Sequence, residues 1–312
     1  MSVHAAEDLL VLALPGSEGL AARLAAGLGC GRRLVEARRF PDGEWYLRLG
    51  GDVRDCPVAI AASLDRPDEK LLPLLLLAAT ARELGAAEVG LVSPYLPYLR
   101  QDRRFLPGEA VSAVHFARLV SDAVAWVVAV EPHLHRLHQL ADVYSVPACA
   151  VSVAPCVAEW VRSRVERPLI VGPDEESRQW AGPVAQAAGA PLAVVRKCRV
   201  GDYHVEIALP DLTEFSGCTP VVIDDIVSTG RTMELIVRKL IQAGFPRPEC
   251  VAVHGVFAGD AYARIRDAGA AAVITCNTIP HATNAIDVTA PLGTAVRAMV
   301  ERTAEGWEES GP

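Results

Sequence analysis

Short β-branched or apolar runs alternate along this chain with longer segments of helical period, and no other feature constrains the fold as tightly. Residues 9–14, 58–63, 88–93, 124–130, 169–172, 192–196, 221–223, 251–256 and 272–275 read as strands of this kind. The segments between them read as helices. After residues 221–223, for example, Met233, Ile236, Val237, Leu240 and Ile241 share one face at helical spacing, and Gly244 supplies a stop. Strands that alternate with helices form a parallel sheet covered on both faces.

A chain of 312 residues with 51% apolar side chains fits two domains better than one. The seam falls near residues 144–151, where Ser145, Val146 and Pro147 interrupt the pattern. Domains of residues 1–147 and 148–312 are therefore expected, with the last residues free to pack back on the first domain. No low-complexity linker marks the seam, so a close-packed pair with a cleft between the domains is expected. Residues 33–49 stand apart: LVEARRF and EWYLRL flank Pro41-Asp42-Gly43, which reads as a hairpin projecting from the first domain.

A formal net charge of -8 argues against a nucleic-acid surface, which needs clustered Lys and Arg to neutralise phosphates. The opening MSVHAAEDLLVLALPG has no basic n-region and breaks at Pro15-Gly16, so neither a signal peptide nor a membrane span is expected, and the protein is placed in the cytoplasm. The eight cysteines form no C-x-x-C pair, and most of them read as small core residues.

The segment most specific for chemistry is Val221-Val222-Ile223-Asp224-Asp225-Ile226-Val227-Ser228-Thr229-Gly230-Arg231-Thr232. A buried strand delivers two carboxylates at its carboxyl end, where ligands bind in such sheets. Ser228, Thr229 and Thr232 offer hydroxyls, Gly230 permits close backbone approach, and the N–H groups opening the next helix favour a phosphate. The carboxylates would repel that phosphate, so they suit sugar hydroxyls or the shell of a Mg²⁺ ion. An ordinary N-capped helix after an acidic strand end would look similar but would not need this combination. The segment resembles the phosphoribosyl pyrophosphate loop shared by type I phosphoribosyltransferases and ribose-phosphate pyrophosphokinases.

Other segments separate those two families. Arg39-Phe40-Pro41-Asp42-Gly43-Glu44, the run Pro94-Tyr95-Leu96-Pro97-Tyr98-Leu99-Arg100-Gln101-Asp102-Arg103-Arg104, and Lys197-Cys198-Arg199 resemble blocks of the ribose-phosphate pyrophosphokinases, in order and at similar spacing. The likeness runs on through Phe257-Ala258-Gly259-Asp260-Ala261 and NTIPHATNAID, and so covers nearly the whole chain. It implies two doubly wound parallel-sheet α/β domains of type I phosphoribosyltransferase-like fold, related by a pseudo-repeat. It implies ATP and ribose 5-phosphate as substrates, Mg²⁺ as cofactor and a homo-oligomer, dimer or hexamer. Residue by residue, it implies that Phe40, Asp42 and Glu44 form an adenine pocket reaching into a neighbouring subunit, and that Arg100, Gln101 and Arg103 bind the polyphosphate. Lys197 and Arg199 belong by resemblance to a catalytic loop. They sit where a strand ends and a connection begins, two residues apart and on one side of an extended chain. The resemblance also implies that Asp224, Asp225, Ser228, Thr229, Gly230, Arg231 and Thr232 bind ribose 5-phosphate and that His133 with Asp174 stands near the metal.

Without the resemblance, the residue-100 run reads as a solvated basic loop and the Phe40 hairpin as a common Asp-Gly turn. His133, His135 and His138 form an H-x-H cluster, but a zinc hydrolase needs further ligands that the sequence does not clearly supply. The chain also departs from the family. Glu131-Pro132-His133 stands for Asp-Leu-His, Ser228 for Asp and Arg231 for a small residue, where it adds a possible contact to the 5-phosphate. Phe105-Leu106-Pro107-Gly108-Glu109 replaces a basic loop, which weakens a regulatory anion site. Two rivals remain: a phosphoribosyltransferase, opposed by the ATP-like segments, and a non-catalytic subunit, opposed by the retention of Lys197, Arg199, His133, Asp224 and Asp225.

Overall fold

The computed structural model describes residues 8–134, 136–200 and 204–304. Two compact units emerge, one of Met1–Val151 with Thr289–Pro312 and one of Ser152–Val288. In the first, β1 (Leu10–Ala13), α1 (Glu18–Leu28) and β2 (Gly31–Arg33) lead into an antiparallel hairpin of β3 (Val35–Arg39) and β4 (Trp45–Leu49). There follow β5 (Pro57–Ala61), α2 (Pro67–Glu83), β6 (Glu88–Ser93), α3 (Ser112–Ala123), β7 (Trp126–Val130) and β8 (Ala148–Val151). Outside the hairpin the strands pair in parallel in the order β2-β1-β5-β6-β7-β8. All residues of β5 and β7 are buried, which is why PVAIA and WVVAV read as continuous apolar runs rather than alternating ones.

The second unit repeats this plan. It begins with α4 (Ala154–Arg164), β9 (Pro168–Gly172), α5 (Arg178–Ala188) and β10 (Leu192–Val194), then a hairpin of β11 (Arg196–Val200) and β12 (His204–Ala208). It continues with β13 (Thr219–Val227), α6 (Arg231–Gln242), β14 (Glu249–Gly255), α7 (Ala261–Asp267), β15 (Ala272–Cys276) and β16 (Asn284–Ile286). Its parallel sheet runs β10-β9-β13-β14-β15-β16, the order of the first sheet strand for strand. Each hairpin leaves the sheet between its second and third strands in chain order. Both the α/β fold with two parallel sheets and the hairpin of the first unit are as the sequence suggests.

The final helix, α8 (Thr289–Ala304), packs on α1, β7 and β8 of the first unit. Its Leu292, Val296, Met299 and Val300 are buried there. Arg297 donates to the Leu28 carbonyl (3.3 Å), and the Thr303 hydroxyl donates to Glu88 (2.9 Å). Residues 148–151, given to the second half in the sequence reading, form the edge strand of the first sheet. The short edge strands β2 and β16 carry no apolar run, so only their pairing defines them. Among the described residues, no helix is long and apolar enough to cross a membrane.

Because Leu292 is fully buried between α8 and the elements it covers, Leu292→Ala is expected to lower unfolding stability by about 2–5 kcal/mol. The shift in urea midpoint measures it.

Candidate active site

In the second unit the site arises from a difference in strand length. β9 pairs with β13 only at Thr219, Pro220, Val221 and Val222, whereas β14 accompanies β13 as far as Val227. Residues 224–227 thus run on past the last β9 pairing and leave a notch at the point where strand order reverses, the usual ligand position in open α/β sheets. The sequence suggests carboxylates after a strand of residues 221–223; here Asp224 and Asp225 lie within a longer strand. Both are half-buried. The Asp225 N–H donates to the Asp224 carboxylate (3.1 Å), and the Ile226 N–H donates to the Asp225 carboxylate (2.7 Å), so the backbone orients both groups.

Ser228, Thr229 and Gly230 turn the chain from β13 into α6. Gly230 is the N-cap at φ 72°, and a Cβ there would lie 3.1 Å from the Ala261 carbonyl and 3.2 Å from Ile265 Cδ1, so this position demands glycine twice over. Thr229 and Arg231 are exposed, and Ser228 and Thr232 half-buried. The N–H groups of the first turn of α6, beginning at Arg231, have no intrahelical partners and favour an anion. Two backbone bonds hold the turn: Phe257 N–H to the Val227 carbonyl and Ala258 N–H to the Ser228 carbonyl, each 3.0 Å. A hydrogen bond from Arg264 holds the Asp260 carboxyl below its usual range, and the charge of Arg231 adds to that effect.

Asp174 follows β9 on the other side of the notch, and its carboxylate accepts the Ser177 N–H (2.9 Å). The backbone of Lys197 and Arg199 lies inside β11, opposite Ile207 and Val205 of β12. This corrects the expectation of a strand end running into a connection: the pair is carried on the first arm of a hairpin. Residues 201–203 and His135 lie outside the described residues.

In the first unit, residues 100–103 lie on the connection between β6 and α3. Gln101 is fixed by both ends: its backbone carbonyl accepts the Ala113 N–H (3.3 Å) and its side-chain oxygen accepts the Ser112 hydroxyl (2.6 Å). Arg100 is exposed, and the Arg103 guanidinium sits 4.9 Å from the centre of the Phe105 ring. Arg136, which sequence reasoning missed, faces the same ring at 5.6 Å and pairs at 3.3 Å with Asp102, whose side chain is only 4% exposed. Its distance in sequence hid it. The Glu109 carboxylate accepts the Phe105 and Leu106 N–H groups (2.7 and 2.9 Å), so the loop closes on its own acid. A hydrogen bond to Asp68 pushes the Tyr98 hydroxyl above its usual pKa.

Phe40 directly follows β3, with its ring partly exposed. The Arg38 guanidinium lies 4.7 Å from the Phe40 ring and 4.4 Å from that of Tyr46, its cross-strand partner. The turn is closed by Phe40 N–H to the Glu44 carbonyl (2.8 Å), Gly43 N–H to the Phe40 carbonyl (2.9 Å) and Glu44 N–H to Asp42 (3.2 Å). His133 is half-buried just beyond β7. His133 and Asp174, linked to one metal by the sequence reading, belong to different units. Among the described residues no three His, Cys, Asp or Glu side chains converge as a preformed metal cage.

Comparison with known proteins identifies the family. A family model described as the N-terminal domain of ribose phosphate pyrophosphokinase matches residues 9–123, and one described as a phosphoribosyl transferase domain matches residues 141–290. The chain is 31% identical to a ribose-phosphate pyrophosphokinase of Methanobrevibacter smithii, over 92% of this chain and 100% of that one. It is 35% identical to one of Methanothermobacter thermautotrophicus, over 91% and 98%. The crystal structure of phosphoribosylpyrophosphate synthetase from Mycobacterium smegmatis superposes with a TM-score of 0.82 at 25% identity, covering 96% of this chain and 99% of that one. With both halves matched and full-length relatives above 30% identity, the chain belongs to the ribose-phosphate pyrophosphokinase family.

Proposed function

We propose that the chain performs its family's reaction through two half-sites: the pyrophosphoryl group of ATP passes to O1 of ribose 5-phosphate, giving phosphoribosyl pyrophosphate and AMP. The observation that carries this reading is the notch at β13, where oriented carboxylates and a helix N-terminus share one strand end. In it, residues 228–232 take the 5-phosphate through backbone N–H groups and hydroxyls, with Arg231 adding a charge-assisted contact. Asp224 and Asp225 face the ribose hydroxyls. The first unit supplies the nucleotide half-site, with Phe40 stacking on adenine, Asp42 and Glu44 accepting from its amine, and Arg100, Gln101 and Arg103 on the polyphosphate.

The O1–Pβ bond forms as the bond from Pβ to the bridging oxygen breaks; that oxygen leaves with AMP, and the O1 hydroxyl proton is released to solvent. Such transfer needs positioning and charge neutralisation more than covalent catalysis. Mg²⁺ fits the donor set, because the carboxylate oxygens of Asp224 and Asp225 are the hard ligands such an ion would take. When bound, it would neutralise charge on the transferring group, and the family resemblance assigns His133 of the first unit and Asp174 of the second each to its neighbourhood. Lys197 and Arg199 occupy alternate positions of β11, and alternate residues of a strand share a face. Both cations then act on one anion. Free thiols at Cys30, Cys56, Cys149, Cys156, Cys218, Cys250 and Cys276 suit a reducing cytoplasm.

Incubation of the purified protein with Mg-ATP and ribose 5-phosphate is expected to yield AMP and phosphoribosyl pyrophosphate; no product across cation and phosphate conditions would instead favour a non-catalytic subunit. Three variants or conditions refine the assignment. Asp225→Asn is expected to weaken ribose 5-phosphate binding and leave ATP binding nearly intact, as measured by equilibrium titration of each ligand; equal loss of both counts against the assignment. Lys197→Ala is expected to lower turnover on the order of 10²–10³-fold with little change in ribose 5-phosphate affinity, because its charge acts mainly on the transition state. Near-normal steady-state turnover would remove Lys197 from the reaction. The exposed Phe40 hairpin is assigned to a neighbour's adenine pocket, so dilution to monomer is expected to abolish ATP binding. Sedimentation with nucleotide titration decides this, and a monomer that binds ATP at full strength excludes the shared pocket.

A further inference from the structure

Phe257 holds a backbone φ of +44°, a left-handed conformation rare for a bulky side chain and one that persists only where its surroundings over-determine it. Those surroundings lead to the sugar-phosphate turn. From this strained position the Phe257 and Ala258 N–H groups reach the Val227 and Ser228 carbonyls, each at 3.0 Å. The ring folds back over Gly255, where any Cβ would lie 2.5 Å from it. His281 packs on the ring at 4.7 Å between centroids, and Tyr262 closes a three-ring cluster at 5.8 Å from Phe257 and 5.5 Å from His281. The imidazole is itself fixed: its Nδ1 accepts the Thr283 N–H (3.2 Å), and the Thr283 hydroxyl pairs with the buried Thr275 (2.8 Å).

We infer that Phe257, clamped by His281 and Tyr262, is a positioning residue for ribose 5-phosphate: it holds the Val227 and Ser228 carbonyls and so sets the donor groups of residues 229–232. This rests on the proposed reading of that turn as the 5-phosphate site. The three aromatic side chains come from the loop after β14, from α7 and from the segment after β15, so the turn is referenced to the neighbouring strands as well as to its own. Loss of the ring stack removes what compensates the strained φ. The two carbonyl bonds then loosen, and a phosphate must pay to reorder the turn on binding. ATP, assigned to the first unit, is not affected.

Steady-state kinetics of the full chain test this, with ribose 5-phosphate and ATP varied separately and melting temperatures recorded. Phe257→Leu is expected to raise KM for ribose 5-phosphate about tenfold, since small misplacements of a binding group cost at least that much. KM for ATP should stay within about twofold, the signature of a lost contact to one substrate only. Phe257→Tyr, which keeps the ring, should restore the ribose 5-phosphate KM, and His281→Leu should move it in the same direction as Phe257→Leu. An equal rise in both KM values, or a lower melting temperature with both KM values unchanged, overturns the inference. Thr232→Val separates the two levels. If it raises KM for ribose 5-phosphate while Phe257→Leu does not, only the positioning role falls; if neither does, the reading of the turn falls with it. Should Phe257→Leu fail to fold, His281→Leu decides by the same criteria.

Discussion

The chemistry of the second unit depends on an inequality between two neighbouring strands. β13 continues for five residues beyond its last pairing with β9, while β14 supports it to the end. A parallel strand that outruns one neighbour but not the other keeps its backbone rigid and still opens one edge to a ligand. Asp224 and Asp225 occupy that stretch, and the turn into α6 begins where β14 support stops. Had β9 been as long as β14, the backbone edge of residues 223–227 would be paired on both sides instead of open on one.

The first unit has the same strand order without the same endowment. Its corresponding strand, β5, ends at Ala61 and is followed by Ala62 and Ser63, so the carboxylates of β13 have no equivalent there. The first acid beyond it, Asp65, is tied to Lys70 at 2.6 Å, and Lys70 also donates to the Ser63 carbonyl (2.8 Å). A charge pair of this kind satisfies the strand end internally. One fold, used twice, thus presents a sugar-phosphate site in one copy and a self-satisfied strand end in the other. The first copy instead carries the nucleotide-type residues on its hairpin and on the segment after β6.

The two hairpins show how unevenly a repeat can be written in sequence. β3 and β4 flank Pro41-Asp42-Gly43, a turn signal that names itself. β11 and β12 occupy the same place in the second unit with the shorter signal Gly201-Asp202 between them in sequence. Antiparallel pairing then shows that the backbone of Lys197 and Arg199 lies on a hairpin arm and not at a strand end. The same holds for Arg136, which meets Asp102 and Phe105 across more than thirty residues of chain.

The sequence by itself determined the α/β class, most internal strands, the Phe40 hairpin and the turn at residues 228–232. Each of these depends on local quantities: apolar runs, helical period, turn residues and the chemistry of neighbouring side chains. Tertiary structure alone decided the edge strands β2, β8 and β16 and the true length of β13, and it made definite the return of α8 to the first unit that the sequence reading left open. It also decided the clamp on Phe257, whose partners His281 and Tyr262 are remote from the turn they steady. These features arise from pairing and packing between distant segments, and an energy shared between two distant segments leaves no pattern within either one.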